Sequence, residues 1–155
     1  MTDEDPIVRW FTHEDADAII RIHSENLESF EEGPLSREFV LQSAQRPDFR
    51  FMVAQANGEV AGFLGVLYYK AVGRAELGPI GMKKELQNHG IGSRMVEKML
   101  SFMKEEGVRR VIVHVKAQNH NAIKFFMDNG FVFEAYLRRY TFEGEDVLQM
   151  VHFTA

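Results

Sequence analysis

Two features of this chain have residue types and spacing that can do chemistry. The first is the run Gln87-Asn88-His89-Gly90-Ile91-Gly92-Ser93, between an extended stretch (residues 74–82) and a helix-patterned one (95–104). Glycines at a strand-to-helix junction leave backbone N–H groups uncovered where a helix dipole is positive, which draws a phosphate or pyrophosphate. Lys83, Lys84, His89 and Arg94 add local positive charge. A dinucleotide fingerprint needs a third small residue where Met95 stands, and a P-loop needs a lysine where this turn has Gly92-Ser93-Arg94. Taken alone, the turn predicts a phosphate-bearing ligand without saying which. The second feature is His114, which interrupts the apolar run Val111-Ile112-Val113-His114-Val115. On a strand it points away from Val113 and Val115, and a polar group so placed must find a partner.

Elements must hold these residues in place, and their pattern is readable. Residues 7–11 read as a short strand; Thr12, with Asp15 three positions on, starts a helix with Ala16, Ile19, Ile20 and His23 on one face. Gly33-Pro34 breaks the chain, Ser36 caps a second helix bearing Phe39, Val40 and Ser43, and Pro47 ends it. Residues 51–56 and 59–69 around Asn57-Gly58 are a strong hairpin signal. Gly73 marks a turn into an extended run that contains Pro79. Proline cannot donate to a ladder, so a bulge or a parting of strands is predicted there. A helix with Met95, Val96, Met99, Leu100 and Met103 on one face stops at Gly107. Then come a strand at 111–115, a helix opening at Asn119 or Asn121 and ending at Gly130, and a closing hairpin of 131–140 with 147–153. The order β-α-α-β-β-β-α-β-α-β-β predicts one α/β sheet, antiparallel early and late, with a βαβ crossover in the middle.

Composition narrows the function classes. A chain of 155 residues, 45% hydrophobic and 26% charged, fits one globular domain, 1–155, with a real core. A net charge of −5 argues against a general nucleic-acid binder. The absence of cysteine excludes disulfides and thiolate nucleophiles. The acidic N-terminus and the lack of any span-length apolar run predict a cytoplasmic protein with no membrane partner. His13, His23, His89, His120 and His152 show no metal-ligand spacing; solvated or turn positions and no metal are expected.

With its flanks, the glycine turn resembles motif A of the GNAT acetyltransferase family, in which a strand is followed by Gln/Arg-x-x-Gly-x-Gly/Ala; here Gln87-Asn88-His89-Gly90-Ile91-Gly92 stands in that place. Asn119-His120-Asn121-Ala122-Ile123-Lys124-Phe125-Phe126-Met127-Asp128-Asn129-Gly130-Phe131 resembles motif B, usually Asn-x-x-Ala-Ile-x-hydrophobic-Tyr-x-x-x-Gly-Phe. Two motifs in order, with matching elements, extend the resemblance over essentially the whole chain. It implies a single-domain α/β acyltransferase fold, a mixed, mostly antiparallel seven-stranded sheet flanked by about four helices. It also implies that acetyl-CoA is the co-substrate, lying in a V between the strands that end at Met82 and Val115. Pantetheine amides would pair with Ile80 and Met82, the pyrophosphate would meet the N–H groups of Gln87, Asn88, His89, Gly90, Ile91, Gly92 and Ser93, and Asn119 would orient the pantetheine arm. Asn119 also reads as a plain helix cap.

One departure concerns Phe126, at the place of the motif B tyrosine that in many members protonates the departing thiolate. A phenyl ring donates no proton. A thiol of pKa ~8.5 is a fair leaving group near neutrality, so another group, a water or unassisted departure remain open. By the resemblance, His114 sits where protein N-terminal acetyltransferases carry a glutamate or histidine base, and Glu76 where many members place a group facing the amine. Otherwise His114 is a satisfied core histidine and Glu76 a solvated strand-end carboxylate. Tyr140 ends the sixth strand in Arg138-Arg139-Tyr140-Thr141-Phe142-Glu143-Gly144-Glu145-Asp146. That segment is similar in part to the Tyr-Tyr-x-Asp-Gly-Glu-Asp stretch of ribosomal-protein and N-terminal-peptide acetyltransferases, which shapes their peptide loop. Glu25, Glu28, Glu31 and Glu32 with Asn26 form an acidic patch on the acceptor side, suited to a cationic acceptor or simply solvated. The resemblance favours direct transfer to an amine acceptor, first a protein N-terminus and next a small amine such as a polyamine or amino acid. It leaves a homodimer open, as it does the alternative of a non-catalytic acyl-CoA-binding module.

Overall fold

The computed structural model describes residues 5–26, 35–87 and 90–154; Asn88, His89, Glu28, Glu31 and Glu32 lie outside the described residues. The strands are β1 (Ile7–Trp10), β2 (Phe49–Ala56), β3 (Glu59–Tyr69), β4 (Arg74–Met82), β5 (Arg110–Lys116), β6 (Val132–Leu137) and β7 (Val147–Phe153). The helices are α1 (Ala16–Glu25) and α2 (Arg37–Ala44), between β1 and β2, then α3 (Ile91–Glu105), between β4 and β5, and α4 (His120–Asp128), between β5 and β6. Local chemistry accounts for the joints. The Asp15 carboxylate accepts the Thr12 N–H at 2.8 Å ahead of α1, and Ser36 Oγ accepts the Phe39 N–H at 3.0 Å ahead of α2. Asn57 and Gly58 both take positive φ, +53° and +79°, which matches a two-residue turn to the twist of β2 and β3.

The seven strands lie in the order β1-β2-β3-β4-β5-β7-β6, all neighbours antiparallel except β4 and β5, which the α3 crossover makes parallel. One sheet face packs Leu64, Val66, Leu77, Val111 and Val113 against Met95, Met99 and Met103 of α3 and Phe126 of α4. The other packs Phe51, Val53 and Phe63 against Ile19 and Ile22 of α1 and Val40 of α2. Among the described residues no helix is long and apolar enough to cross a membrane.

The feature that makes a site lies in the middle of the sheet. β4 and β5 pair only from Arg74 opposite Arg110 to Leu77 opposite Val113, yet both strands continue, to Met82 and Lys116. Pro79 has no N–H to offer a neighbour. On its other side β4 shifts register against β3: Ile80 lies opposite Leu64 and Leu77 opposite Val66, so Gly78 and Pro79 together face Gly65. The bulge and the parting predicted at Pro79 both occur.

Two expectations need correction. β6 stops at Leu137, so Tyr140 lies in the connection to β7 and not at the strand's end. Asp146 draws the chain away from the ladder by accepting the Arg139 N–H at 2.9 Å and the Tyr136 hydroxyl at 2.6 Å, and Arg139 takes φ +52°. His23 is not solvated but buried, because it lies on the same face of α1 as Ile19 and Ile22, with its ring 6.5 Å from that of Phe63.

Candidate active site

Where β4 leaves β5 it has no strand partner on that side. The Lys83 N–H donates to the Ala61 carbonyl at 2.8 Å, so positions 81 and 83 face β3. By alternation, the N–H and C=O of Ile80 and Met82 face the gap. The Met82 carbonyl accepts from Asn26 Nδ2 at 3.0 Å, and Asn26 Oδ1 accepts from Gln87 Nε2 at 2.9 Å. The end of α1 is thereby tied to the glycine turn.

The start of α3 is open in the manner the glycines predict. Gly90 stands at φ +81°, a conformation L side chains rarely adopt, and a Cβ there would meet no atom within 4 Å. The first bond from the turn into the helix runs from the Arg94 N–H to the Gly90 carbonyl at 3.2 Å, so the N–H groups of Ile91, Gly92 and Ser93 precede the helical ladder. The Ile91 side chain itself is buried in the core. A Cβ on Gly92 would press 3.1 Å from the Phe125 ring, so a glycine lets α3 and α4 approach closely. Asn129 Nδ2 donates to Ser93 Oγ at 3.2 Å across the same contact. Asn119 Oδ1 caps α4 by accepting the Ala122 N–H at 3.1 Å, which confirms the plain cap and engages its oxygen. Phe126 is buried, with its ring edge-on to Phe125 at 5.0 Å and to Phe131 at 5.4 Å.

These groups line one cleft of about 1500 Å³ that runs from Gly90 and Ser93 past Ile80 and Met82 to Glu76 and His114. The two base candidates meet there: His114 Nδ1 lies 3.3 Å from Glu76 Oε1. The His114 side chain is only 9% exposed and that of Glu76 43%, so one end of the pair is dry and the other open to an incoming substrate. Tyr140 packs its ring edge-on to His114, with centroids 5.0 Å apart. On the other side of the imidazole, Nε2 meets Gln149 Oε1 at 2.9 Å.

Gln149, Glu134 and Arg110 were not among the residues singled out from the sequence. Gln149 reaches His114 because β5 and β7 place the two directly opposite, a register that no local motif encodes. Glu134 sits where β6 and β7 shift register, and Arg110 forms a bidentate pair with it. The hydrogen bonds from Arg110, helped by one from Gln149, hold the Glu134 carboxyl below the usual carboxylate range. Phe125 was likewise missed as a wall of the turn. Its signal was present in the small residue at 92, which has to lie against something bulky.

The chain matches the Acetyltransferase (GNAT) family over residues 16–131. Among curated relatives, a Bacillus subtilis (strain 168) protein provisionally named ribosomal protein bS18-alanine N-acetyltransferase is 27% identical over 148 residues, 92% of each chain. An uncharacterized N-acetyltransferase of Methanocaldococcus jannaschii is 24% identical, covering 94% of this chain and 90% of its own. Of solved structures, Ard1 from Thermoplasma volcanium shares the fold at a TM-score of 0.84 and 23% identity, covering 96% of this chain and 97% of that one. The ribosomal-protein-S18-alanine N-acetyltransferase of Escherichia coli does so at 0.81 and 22%, covering 97% and 95%. The chain belongs to the acetyltransferase (GNAT) family and is an N-acetyltransferase.

Proposed function

We propose that this enzyme moves an acetyl group from acetyl-CoA to a primary amine by direct transfer in a ternary complex, with a protein or peptide N-terminus as the favoured acceptor. The observation that carries the reading is the Glu76–His114 pair at the inner end of the cleft whose other end is the open start of α3. The residues present fit the donor. The N–H groups ahead of the α3 ladder suit a pyrophosphate, the gap-facing edge of Ile80 and Met82 suits the pantetheine amides, and the amide of Asn119 lines the same channel. Asn88 and His89 belong to the same proposed seat.

The reaction needs the amine neutral. An α-amino group of pKa about 8 requires modest help, which a histidine–carboxylate pair supplies, whereas a lysine near 10 requires more. The ammonium proton passes to the Glu76–His114 pair and the amine nitrogen bonds to the thioester carbonyl carbon. Backbone N–H groups on the edge of β4 polarise the carbonyl oxygen, the C–S bond breaks, CoA leaves as the thiolate, and the second nitrogen proton is released to water as the amide forms. Phe126 has no proton to give, and a thiol of pKa ~8.5 departs without one. The preference for a protein N-terminus is supported by the name of the Bacillus subtilis relative and by the loop carrying Tyr140 beside His114.

The test is mass spectrometry after incubation with acetyl-CoA and a panel of peptides with free or blocked α-amino groups, polyamines and amino acids. One acetyl group on the free α-amine is expected. Acetylation confined to polyamines or free amino acids would overturn the N-terminal preference, and no acetylated product at all would overturn the transfer.

A further inference from the structure

Five side chains form an unbroken row across the sheet, from the cleft to its far edge. Glu76 faces Nδ1 of His114, Nε2 of His114 meets Gln149 Oε1 at 2.9 Å, and Gln149 Nε2 donates to Glu134 Oε1 at 2.8 Å. The Glu134 carboxylate takes both terminal guanidinium nitrogens of Arg110, one of them at 2.7 Å. Proton positions along this row follow from what each group can donate. A guanidinium only donates, and an ionised carboxylate only accepts. Glu134, held ionised by Arg110, therefore turns the NH2 of Gln149 toward itself. That turn aims the amide oxygen of Gln149 at His114, and an amide oxygen only accepts, so the hydrogen must sit on Nε2 of the ring.

We infer that Gln149, oriented by the Glu134–Arg110 pair, holds neutral His114 as the Nε2–H tautomer, so that Nδ1, on the Glu76 side, is the nitrogen that receives the acceptor's proton. The inference rests on the proposed use of His114 as base, and it makes Gln149 a positioning residue. The alternative tautomer would set the bare Nε2 against the Gln149 oxygen; turning the amide to avoid that would set its oxygen against Glu134. The first leaves two acceptors face to face at the part-buried His114–Gln149 contact and the second at the exposed Gln149–Glu134 contact. The Nε2–H form confines its one such approach, Nδ1 to Glu76 Oε1, to the cleft, where an ammonium N–H can donate. In the Nε2–H form, the Nδ1 lone pair and the Glu76 carboxylate lie 3.3 Å apart as two acceptors at the cleft, and an ammonium N–H approaching from the cleft donates to them. After transfer, the ring carries Nδ1–H toward Glu76 and Nε2–H toward Gln149, so both hydrogens of the imidazolium have acceptors. The proton then passes to water once the acetylated product leaves.

The test is a 15N–1H correlation spectrum of the imidazole groups, recorded above the titration of His114, beside steady-state kinetics on the wild type, Gln149→Leu and Glu134→Gln. The wild type is expected to show His114 as the Nε2–H form. Both variants are expected to show a mixture of tautomers, although Glu134 does not touch the ring. Gln149→Leu is expected to lose about 10–100-fold in kcat with the KM for acetyl-CoA unchanged. Thermal melts of the variants separate this loss from unfolding. An Nδ1–H ring in the wild type, or a Gln149→Leu ring identical to it, overturns the relay while leaving acetyl transfer standing. Full turnover in His114→Ala overturns the base role itself, whatever the tautomer.

Discussion

Glu76 and His114 illustrate how two ordinary side chains become a site only through register. Each was recognisable alone, as a carboxylate on one strand and a polar break in an apolar run on another. What brings them within 3.3 Å is the parallel pairing of Glu76 with Ile112, which sets His114 one same-face step further along β5. Neither belongs to the Ile80–Met82 stretch of β4 or to the start of α3. His114→Ala and Glu76→Gln are therefore expected to lower kcat by about 10²–10⁴-fold, with acetyl-CoA affinity by calorimetry within a factor of about two of wild type. A matching loss of affinity would place these residues in donor binding instead. The Gln149 contact was out of reach of sequence reasoning for the same physical cause: a β5/β7 register depends on a connection whose length permits several registers. Tyr140 was misplaced because the capture of Arg139 by Asp146 depends on a side chain seven residues away.

At the scale of elements, the glycine turn and the parted strands do the positioning, and both were legible. Glycine at a helix start, proline inside a strand and Asn-Gly between two apolar runs each act through local backbone chemistry, which neighbours in the fold did not override. Gly90→Val is expected to abolish acetyl-CoA binding, scored by loss of the ligand-induced rise in Tm, because φ +81° excludes a β-branched residue and the loop must move. Gly92→Ala should weaken binding less, by pushing Phe125 and α4 back from a 3.1 Å approach.

The joint between β1 and α1 makes a separate prediction about stability. Arg9 holds the buried Asp15 carboxylate at 2.9 Å through both terminal guanidinium nitrogens. Burial pushes that carboxyl up, but hydrogen bonds from Arg9 and from the Thr12 N–H outweigh it, leaving it below its ordinary value. The stabilisation is thus present above the unfolded pKa of about 3.9 and is lost as pH falls through the lower folded value. Asp15→Asn should cost about 2 kcal/mol at neutral pH, an intermediate figure because Arg9 is partly exposed. The gap to wild type should close below about pH 4, read from urea midpoints across the range. His23 was misjudged because the lack of metal-ligand spacing was read as solvation, although its place on the Ile19 face of the helix marked it as inward.

For the whole molecule, the two cores divide the work. The α3/α4 layer holds the proposed donor end of the cleft and the α1/α2 face carries the proposed base residues Glu76 and His114, with the parted β4 and β5 between them. The single mixed sheet and its crossover followed from the order of elements along the chain, because each connection admits few arrangements. The acceptor did not follow, since its selection depends on loops at the cleft mouth, whose shape no periodicity describes. The most direct test of the account is the initial rate of thiol release from acetyl-CoA, measured with and without a free N-terminal peptide, for wild type and for the Glu76→Gln, His114→Ala double variant. The account predicts peptide-dependent release by wild type and a loss of at least about 100-fold in the double variant. Peptide-dependent release at the wild-type rate in the double variant, or none above background in wild type, would contradict it.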